Sequence, residues 1–400
     1  MTGTAAPAGV VVVGGSLAGL HTAEALRIEG FSGRITVVDA DPQPHYDRPP
    51  MSKDYLHGRL PAERLLLRDR ERIDALGADW RLGTTATALD PARRTVRLSS
   101  AAGAAEVEYD ELVIATGVTP ILPPSLAVPG AHVLRTKDDA DRLRRELRPD
   151  GSLVIVGGGF IGLEVAAAFR TVGARVDVVE ALDTPLHRQL GPVIGRALQR
   201  RHEREGVVFH LGRQASAVSP DDRGIAVTLD DGTVLEAGAL LVAVGSAPGT
   251  AWLAGSGIDT AGGVVADGHL RAAPHIHAVG DVVRWPHPLA GRPVRIEHWS
   301  TAIEQAKYVA RRITGTGGDK PFDALPYFWS DQYDRKLQAH GFPDGNAEIE
   351  VIDGDLDGDR FAALYLTEGR ATAVVGMNNP RQTLAGRRRV LAELTVQEAS

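Results

Sequence analysis

The sequence predicts an α/β protein with two Rossmann-like dinucleotide-binding domains and a small α+β C-terminal domain. A strand, a glycine-rich turn, a helix and a strand ending in an acidic residue follow one another at 10–39 and again at 152–180. Strand-like segments at 348–377 precede a helix-like segment at 380–394, which predicts the small domain. A chain of 400 residues can hold two or three domains with a sizeable core.

The clearer glycine-rich motif follows the apolar run Leu153–Val156, which is typical of a buried parallel strand. Gly157, Gly159 and Gly162 complete the pattern G-x-G-x-x-G, and helical apolar spacing follows. Gly157 would permit the tight turn, Gly159 would let the backbone approach a pyrophosphate, and Gly162 would let helix and strand pack closely. We expect the pyrophosphate at the helix N-terminus, where free N–H groups and the helix dipole favour an anion.

The acidic residue of this motif indicates which nucleotide binds. Glu180 stands eighteen residues after Gly162 and would accept hydrogen bonds from a ribose 2′-OH. Its carboxylate would repel a 2′-phosphate, and no Arg or Lys occurs at 181–184. The pattern therefore favours NAD over NADP, although Arg188 is near enough in sequence to leave the strictness of that choice open.

A second copy of the pattern opens the chain. The strand Val10–Val13 leads into Gly14, Ser16 and Gly19, and Asp39 follows twenty residues after Gly19 at the end of the next strand. Ser16 occupies the position where the middle glycine is usual. Two such motifs in one chain usually mean that one binds a dinucleotide cofactor and the other a dinucleotide substrate.

Composition excludes several classes of protein. The net charge of −7 argues against a nucleic-acid binder. Cysteine is absent, which excludes disulfides, thiolate metal sites and cysteine redox catalysis. The first nine residues have no charged start, so we expect no signal peptide. No apolar run approaches the roughly eighteen residues of a membrane span, so we expect a cytoplasmic protein without a membrane partner.

Three regions allow more than one interpretation. Arg48 and Lys53 could face a phosphate and the anionic ring of a reduced flavin, or could be solvated charges on a surface turn. The aromatic cluster at 327–333 could be a core anchor or a stacking wall for a flat cofactor. The run at 387–389 could be a solvated face or a docking patch.

Two further patterns concern metals and domain boundaries. His275 and His277 alternate on a predicted strand and point to one face, but no third ligand is evident, so no metal is expected. The strands at 111–117 and 240–245 both end in small-residue turns. They would mark the exit from and the return to the first domain, which makes the second nucleotide-binding unit an insertion.

Together these residues resemble the FAD-dependent ferredoxin reductases that serve bacterial haem monooxygenases and aromatic-ring dioxygenases. The resemblance covers nearly the whole chain. Its marks are YDRPPMSK (46–53), ELVIATG (111–117), GGGFIGLE (157–164), the Gly-Asp pair at 280–281, RIEHW (295–299) and PYFWSDQYDRKLQ (326–338). The departures are Ser16, Lys137 at a commonly apolar position, and the GMNNP segment at 376–380.

The resemblance implies a glutathione-reductase-like arrangement of three domains. The FAD-binding domain would be discontinuous, at 1–117 and 246–322, the inserted NAD-binding domain would span 118–245, and a C-terminal interface domain would span 323–400. The implied cofactor-binding residues are Gly14, Ser16, Leu17, Ala18, Gly19, Asp39, Ala40, Arg48, Lys53, Ala86, Thr116, Gly117, Arg135, Gly157, Gly159, Phe160, Ile161, Gly162, Glu180, Arg188, Gly245, Gly280, Asp281, Glu297, His298, Trp299 and Trp329.

The resemblance also implies the activity. Electrons would pass from NADH through FAD to an iron–sulfur ferredoxin, and indirectly to a terminal oxygenase. Trp299 and Trp329 would flank the flavin ring, while Lys53 and Glu164 would lie near its N5 atom as catalytic residues. Glu164 would hold Lys53 through a charge-assisted hydrogen bond.

The acceptor of the electrons is less certain from sequence. Ferredoxins are generally acidic, so Arg292, Arg311, Arg335 and Lys336 are candidates for docking one. Two alternatives stay open: an NADH-dependent rubredoxin or quinone reductase, and a redox-sensing interaction protein that binds FAD and NADH. The missing cysteines argue against the disulfide reductases of this fold, which need a redox Cys pair.

Overall fold

The computed structural model describes residues 7–221 and 224–398. The chain divides into two compact units. The first comprises the described residues up to Asp47, with Leu66–Thr119 and Pro248–Pro326. The second comprises Arg48–Leu65, Pro120–Ala247 and the described residues from Tyr327 onward. Two short strands, Val118–Pro120 and Ser246–Pro248, lie where the chain passes between units.

A six-stranded sheet forms the centre of the first unit. From edge to edge its strands are Arg271–Ala273, Ile276–Ala278, Glu111–Ile114, Gly9–Val13, Arg34–Val38 and Asp79–Arg81. All neighbours pair in parallel except the first two strands. The central strand Gly9–Val13 is buried along its whole length, as its continuous apolar run predicts. Helices Leu17–Ile28 and Trp299–Thr314 pack against each other.

The remaining elements of the first unit are short. The short segments of alternating residues within 80–113 predict a small antiparallel sheet, and the strands Thr85–Asp90, Thr95–Ser100 and Gly103–Glu108 form one. A second small sheet joins Val264–Val265, Val283–His287 and Arg292–Arg295. One α-helix, Arg70–Ala75, and 3₁₀ turns at Ala251–Leu253, Gly280–Val282 and Pro288–Ala290 complete the described part of this unit.

The second unit contains a parallel sheet of the same type. Its strands, in order, are Val207–Leu211, Arg175–Glu180, Ser152–Val156, Ala239–Val242 and Ala131–His132. Helices Lys137–Arg144, Phe160–Thr171 and His187–Arg204 accompany it. The strands Ala215–Asp221, Gly224–Leu229 and Val234–Ala237 form a small antiparallel sheet, and 3₁₀ turns occur at Pro49–Ser52, Ala62–Leu65 and Pro124–Leu126. The turn predicted at Asp221–Asp222 extends outside the described residues.

An antiparallel sheet and a helix form the rest of the second unit. The strand order is Tyr327–Gln332, Arg335–Gly341, Arg370–Met377, Phe361–Thr367 and Glu348–Gly354, followed by helix Pro380–Glu398. Leu190, Ile194 and Leu198 of the helix His187–Arg204 are buried in one cluster with Phe361 and Tyr365 of this sheet. Apolar packing therefore joins this sheet to the helix His187–Arg204 within the second unit.

Helix boundaries differ from the predictions where local sequence is ambiguous. The sequence at 191–205 predicts a helix that begins at Gly191. The structure has a short helical segment from His187, a kink at Gly191, whose φ is 72°, and then a longer helical segment that runs to Arg204. A side chain at Gly191 would approach Gly345 Cα at 2.7 Å, so glycine is needed for close backbone contact there. The charged segment 138–147 predicts another helix, which in the structure ends at Arg144.

Two absences concern the described residues alone. No helix within 7–221 and 224–398 is long and apolar enough to cross a membrane. Within the same residues no group of three His, Asp or Glu side chains is arranged to hold a metal ion. His277 lies on the strand Ile276–Ala278, whereas His275 directly precedes it with a φ of 63°. Their rings nevertheless lie on the same side, since their ring nitrogens lie 2.8 and 3.2 Å from separate oxygens of Glu111.

Candidate functional site

The first glycine-rich turn has the backbone geometry that its spacing predicts. Gly14 has a φ of 105°, and a side chain there would overlap the carbonyl oxygen of Ala115. A side chain at Gly19 would overlap the carbonyl oxygen of Gly14, so helix and turn approach too closely for any other residue. Ser16 is the N-cap of the helix Leu17–Ile28, which leaves the N–H groups of its first turn at the strand's carboxyl end.

The acidic residue of this motif supports the turn itself. Asp39 Oδ2 accepts a hydrogen bond from the N–H of Gly15 at 2.7 Å, and Oδ1 accepts one from the N–H of Asp41 at 3.0 Å. Each carboxylate oxygen has a second lone pair. Asp39 can therefore orient the turn and still accept a hydroxyl of a bound nucleotide.

The second glycine-rich turn repeats this geometry in the other unit. Gly157 has a φ of 110°, and side chains at Gly157 and Gly162 would overlap the carbonyl oxygens of Ala243 and Gly157. Glu180 Oε2 accepts from the N–H of Gly158 at 2.7 Å, matching the contact from Asp39 to Gly15. Its Oε1 accepts from the N–H of Leu182 at 2.9 Å.

Gly159 shows that the turn suits a dinucleotide. An added Cβ at Gly159 would meet only the Gln189 side-chain nitrogen, 3.9 Å away, so the protein itself does not require a glycine there. The open side of this glycine lies at the N-terminus of the helix Phe160–Thr171. A pyrophosphate that approaches the backbone is the physical reason for a glycine at such a position. Both turns therefore fit a bound dinucleotide.

A buried ion pair joins the two residues predicted to be catalytic. Lys53 Nζ lies 2.6 Å from Glu164 Oε2, and the two side chains are only 16% and 7% exposed. The hydrogen bond that the sequence predicted between them is therefore present. Glu164 also accepts from the hydroxyls of Ser52, at 2.5 Å, and Ser330, at 2.6 Å. Three donors converge on one carboxylate, which fixes its position.

The segment that carries Lys53 is anchored at both ends within the second unit. A 3₁₀ turn, Pro49–Ser52, precedes the lysine, because two prolines preset its backbone. At one end, Arg48 Nε donates to the carbonyl oxygen of Arg135 at 3.2 Å. At the other, the hydroxyl of Tyr55 donates to Asp141 at 2.5 Å. The interpretation of 48–53 as a solvated surface turn is therefore wrong for Lys53.

Lys137, the departure from the family pattern, belongs to this anchor. Its ammonium donates to Asp141 at 2.6 Å and lies 5.9 Å from the centre of the Tyr55 ring. The hydrogen bond to Asp141 raises the pKa of Lys137, and burial together with the same carboxylate raises the pKa of Tyr55. The lysine therefore completes a charged network on the helix Lys137–Arg144, in place of an apolar contact.

The first unit positions further predicted residues through polar contacts. The N–H of Gly280 donates to Gln305 Oε1 at 2.8 Å, at the N-terminus of a short 3₁₀ turn. The indole N–H of Trp299 donates to Asp47 at 2.9 Å. Thr116 donates from its hydroxyl to the carbonyl oxygen of Gly249 at 2.8 Å. These contacts set the backbone at the carboxyl end of the sheet, where α/β proteins bind ligands.

The aromatic cluster at the start of the C-terminal sheet is partly exposed. Tyr327 and Trp329 alternate on one face of their strand, and their rings are nearly parallel with centres 6.0 Å apart. Phe328, on the other face, packs edge-to-face against Phe160 at 5.0 Å. Phe328 thus packs as the core-anchor interpretation proposed, while the interpretation of Tyr327 and Trp329 as a stacking wall for a cofactor stays a prediction.

The predicted site residues are divided between the units, and their roles as cofactor contacts remain predictions. The first unit carries Gly14, Ser16, Leu17, Ala18, Gly19, Asp39, Ala40, Ala86, Thr116, Gly117, Gly280, Asp281, Glu297, His298 and Trp299. The second carries Arg48, Lys53, Arg135, Gly157, Gly159, Phe160, Ile161, Gly162, Glu164, Glu180, Arg188, Gly245 and Trp329.

Sequence reasoning missed residues that contact the predicted ones. Ser52 and Ser330 both donate to Glu164 but lie 112 and 166 residues from it. Both stand inside motifs already quoted for the family, YDRPPMSK and PYFWSDQYDRKLQ, and that was the available signal. Gln305 is a buried polar residue inside a helix that otherwise buries apolar and small side chains, which gave a weaker signal.

Two of the four basic residues proposed for docking, Arg335 and Lys336, are engaged in ion pairs. Arg335 pairs with Asp334 and Asp359, and the hydrogen bond to Asp359 raises the pKa of the guanidinium. Lys336 lies 3.4 Å from Asp331. Within the run at 387–389, Arg389 pairs with Glu393 at 2.8 Å and Glu350 at 3.2 Å. These pairs place Arg389 in an ion-pair network that neither sequence interpretation of the run proposed, and a docking role for the run stays a prediction.

Comparison with known proteins gives the class to which this geometry belongs. Residues 8–306 match the family described as pyridine nucleotide-disulphide oxidoreductase, and residues 327–400 match the reductase C-terminal family. Rhodocoxin reductase of Rhodococcus erythropolis is 36% identical over 96% of this chain and 90% of its own length. Putidaredoxin reductase of Pseudomonas putida is 36% identical over 93% of this chain and 89% of its own.

A solved structure agrees with these relatives. The covalent complex of putidaredoxin reductase with putidaredoxin matches with a TM-score of 0.92 and 33% identity, over 97% of this chain and 94% of the matched chain. The fold and the two nucleotide turns define a pyridine-nucleotide oxidoreductase. The chain belongs to the pyridine nucleotide-disulphide oxidoreductase family and, within it, to the ferredoxin reductases.

The membership bears on the expectations from sequence. It confirms the resemblance, the α/β fold class with its C-terminal domain, and the oxidoreductase activity. It also confirms the cofactors, FAD and NAD(H). The individual residues assigned to each cofactor, and the boundaries of the three domains, are not tested by it.

Proposed function

We propose that this chain passes electrons from NADH, through FAD, to an iron–sulfur ferredoxin that serves an oxygenase. The observation that carries the proposal is the pair of dinucleotide turns in a chain without cysteine. Two turns accommodate a cofactor and a dinucleotide substrate. The relatives named as reductases of rhodocoxin and putidaredoxin support a ferredoxin as the acceptor.

The nucleotide contacts follow from the two turns. FAD would lie on the turn 14–19 with Asp39 near its ribose, and NADH on the turn 157–162 with Glu180 near its ribose. Bound there, FAD would supply the chemistry that converts a two-electron hydride donor into single electrons for an acceptor. The two turns would bind and orient both molecules, and the helix N-termini would hold their pyrophosphates.

Lys53 would supply the main electrostatic contribution. Its ammonium is held at 2.6 Å from Glu164 in a site where both side chains are largely excluded from water. A preorganised cation stabilises negative charge that develops nearby, because no reorganisation is needed during the reaction. Glu164 holds this cation in place, and the hydroxyls of Ser52 and Ser330 hold Glu164.

We also propose the remaining expectations from sequence. The FAD-binding domain would comprise 1–117 and 246–322, the NAD-binding domain 118–245 and the interface domain 323–400. The carboxylate of Glu180 is held at the turn by the N–H of Gly158 and also by the N–H of Leu182, and its charge would repel a 2′-phosphate, which supports NADH over NADPH. A cytoplasmic location fits an enzyme that draws on NADH.

The test is anaerobic mixing of the purified FAD-loaded protein with NADH, followed by an oxidised two-iron ferredoxin. Bleaching of the flavin absorbance by NADH and rapid recovery on adding ferredoxin are expected. If the flavin absorbance recovers with a quinone or a rubredoxin but not with any ferredoxin, the acceptor is that molecule and not a ferredoxin. Bleaching that persists with every acceptor would favour the redox-sensing alternative.

The role of Lys53 has its own test. Lys53→Ala should slow flavin reduction by NADH about 10²-fold, as expected for loss of a preorganised donor. Lys307→Ala is the matched control, since Lys307 pairs with Glu304 on a surface where both are about half exposed. A Lys53→Ala variant that keeps its FAD and is reduced at the normal rate would refute the role.

A further inference from the structure

The carboxylate of Glu164 is the end of a chain of buried polar side chains. Ser330 donates to Glu164 Oε1 at 2.6 Å, and Gln332 donates from Nε2 to the Ser330 hydroxyl at 3.1 Å. His202 Nε2 lies 2.9 Å from Gln332 Oε1, and the hydroxyl of Tyr333 lies 2.9 Å from His202 Nδ1. All five residues belong to the second unit.

The donors and acceptors along this hydrogen-bond chain can be assigned in only one direction. The single proton of the Ser330 hydroxyl goes to the carboxylate of Glu164, so Gln332 must present its N–H₂ group to that oxygen. The amide oxygen of Gln332 then faces His202, which must donate from Nε2. His202 Nδ1 is left as an acceptor for the hydroxyl of Tyr333. Every donor therefore points toward Glu164.

The burial of His202 maintains the direction of these hydrogen bonds, because it keeps the imidazole neutral, with one nitrogen as donor and the other as acceptor. His202 is fully buried, and burial lowers its pKa to about 4, so the ring is neutral at neutral pH. Burial raises the pKa of Tyr333, which keeps its hydroxyl protonated as a donor. Ser330 and Gln332 are buried as well, at 1% and 6% exposure. In such a medium hydrogen bonds that point one way polarise and strengthen one another.

Proton transfer is not the role that this arrangement suits. Gln332 accepts at its oxygen and donates from its nitrogen, and an amide does not readily pass a proton between these atoms. The chain instead places the positive ends of four aligned donors in series toward one carboxylate. Its effect falls on the position and the electrostatic potential of Glu164, which holds Lys53 at 2.6 Å.

We propose that His202 and Gln332 are positioning residues for the Lys53–Glu164 pair and thereby for flavin reduction. The inference rests on the proposed role of Lys53. His202 supplies the donor that orients Gln332, Gln332 orients the hydroxyl of Ser330, and Ser330 holds the carboxylate. Removing the hydrogen bonds of His202 frees the Gln332 side chain to rotate. The carboxylate of Glu164, and with it the ammonium of Lys53, then gains conformational freedom.

The experiment compares two replacements of His202 in the FAD-loaded protein. His202→Phe removes both hydrogen bonds and keeps a ring. His202→Gln keeps a donor and an acceptor at similar separation. The matched control is Tyr365→Phe, which removes a buried hydroxyl that donates to the Leu190 carbonyl oxygen at 2.7 Å, outside the chain. Each protein is mixed anaerobically with NADH, and the limiting flavin-reduction rate constant and the dissociation constant for NADH are measured.

His202→Phe should lower the limiting rate constant about five- to tenfold, the size expected for one lost positioning hydrogen bond. The dissociation constant for NADH should stay within about twofold of that of the unaltered protein, because none of these hydrogen bonds involves the turn 157–162. His202→Gln and Tyr365→Phe should both keep the rate constant within about twofold of the original. If His202→Phe does not fold, Gln332→Leu replaces it in the comparison, because it removes the hydrogen bonds of the next residue in the series, one step nearer Glu164.

An unchanged rate constant for flavin reduction in His202→Phe, or in Gln332→Leu if that variant replaces it, would overturn the proposal. So would equal slowing by His202→Gln, or equal slowing by Tyr365→Phe, because either would point to general loss of packing. These outcomes are distinct from failure of the proposed function. In that case the unaltered protein itself would not be reduced by NADH or would not pass electrons to ferredoxin.

Discussion

The Lys53–Glu164 pair should contribute to stability far more than a surface ion pair does. The side chains are 16% and 7% exposed, so most of the hydration of both charges is lost. After Glu164→Gln, the ammonium keeps two neutral acceptors among the described residues, the Pro49 carbonyl oxygen at 3.1 Å and the Ser52 hydroxyl at 3.4 Å, besides the new amide. Removing one partner of a buried pair costs about 3–5 kcal/mol, and we expect about 3 kcal/mol here.

The second single variant should cost less, and the double variant should show the coupling. Lys53→Met leaves Glu164 with the hydroxyls of Ser52 and Ser330, so a loss of about 2 kcal/mol is expected. Independent effects would sum to about 5 kcal/mol in the double variant. We expect about 3 kcal/mol, because the second change removes a charge that the first had left unpaired, and the coupling is then about 2 kcal/mol.

The assay is urea unfolding of the FAD-loaded proteins, followed by both tryptophan fluorescence and circular dichroism. Lys307 and Glu304 provide the control cycle: they form an ion pair at 2.9 Å in which both side chains are about half exposed. Lys307→Met with Glu304→Gln should couple by about 0.5 kcal/mol or less. A coupling for Lys53 and Glu164 as small as that of the control would refute the reasoning from burial.

Two further predictions follow from the glycine turn and from the buried histidine. Gly159→Ala should weaken NADH binding at least about tenfold without loss of stability, since its Cβ meets open space. Gly162→Ala should instead destabilise the fold, because its Cβ would overlap the carbonyl oxygen of Gly157. NADH titration and urea unfolding distinguish the two effects, and equal stability of both variants would contradict the prediction. His202 has a pKa of about 4 when folded against an ordinary 6.5, so the folded state binds fewer protons and acid destabilises it between those values. From pH 7 to pH 5, His202→Gln should lose about 2 kcal/mol less unfolding free energy than the unaltered chain, and parallel losses would show that this histidine does not titrate on unfolding.

Local patterns in the sequence were sufficient for the two nucleotide turns. Gly14, Gly19, Gly157 and Gly162 each stand where a side chain would overlap a carbonyl oxygen, and spacing alone located them. The turn, the helix and the two strands are contiguous in sequence, and their hydrogen bonds and packing are mainly local. The absence of cysteine likewise restricts the chemistry by composition alone, because no arrangement of this chain can supply a thiol.

Ambiguities remained where one residue type serves two purposes. The charges of Arg48 and Lys53 fit a solvated turn and a site equally well, because the distinction depends on the carboxylate of Glu164, 111 residues away from Lys53. The longer helical segment after Gly191 agrees with the prediction, but the short helical segment from His187 was missed. The two are separated by a kink where Gly191 lies against Gly345, a contact 154 residues away that local sequence does not show.

The sequence by itself determined the fold class, the two dinucleotide turns with their acids, and the family, because these depend on residues close together in the chain. Only the tertiary structure decided what surrounds Glu164. Ser52, Ser330, Gln332 and His202 come from distant segments, and they meet only after the strands and helices have packed. A hydroxyl, an amide or an imidazole has no characteristic spacing to a partner across a fold, so burial and direction appear only when the side chains are placed.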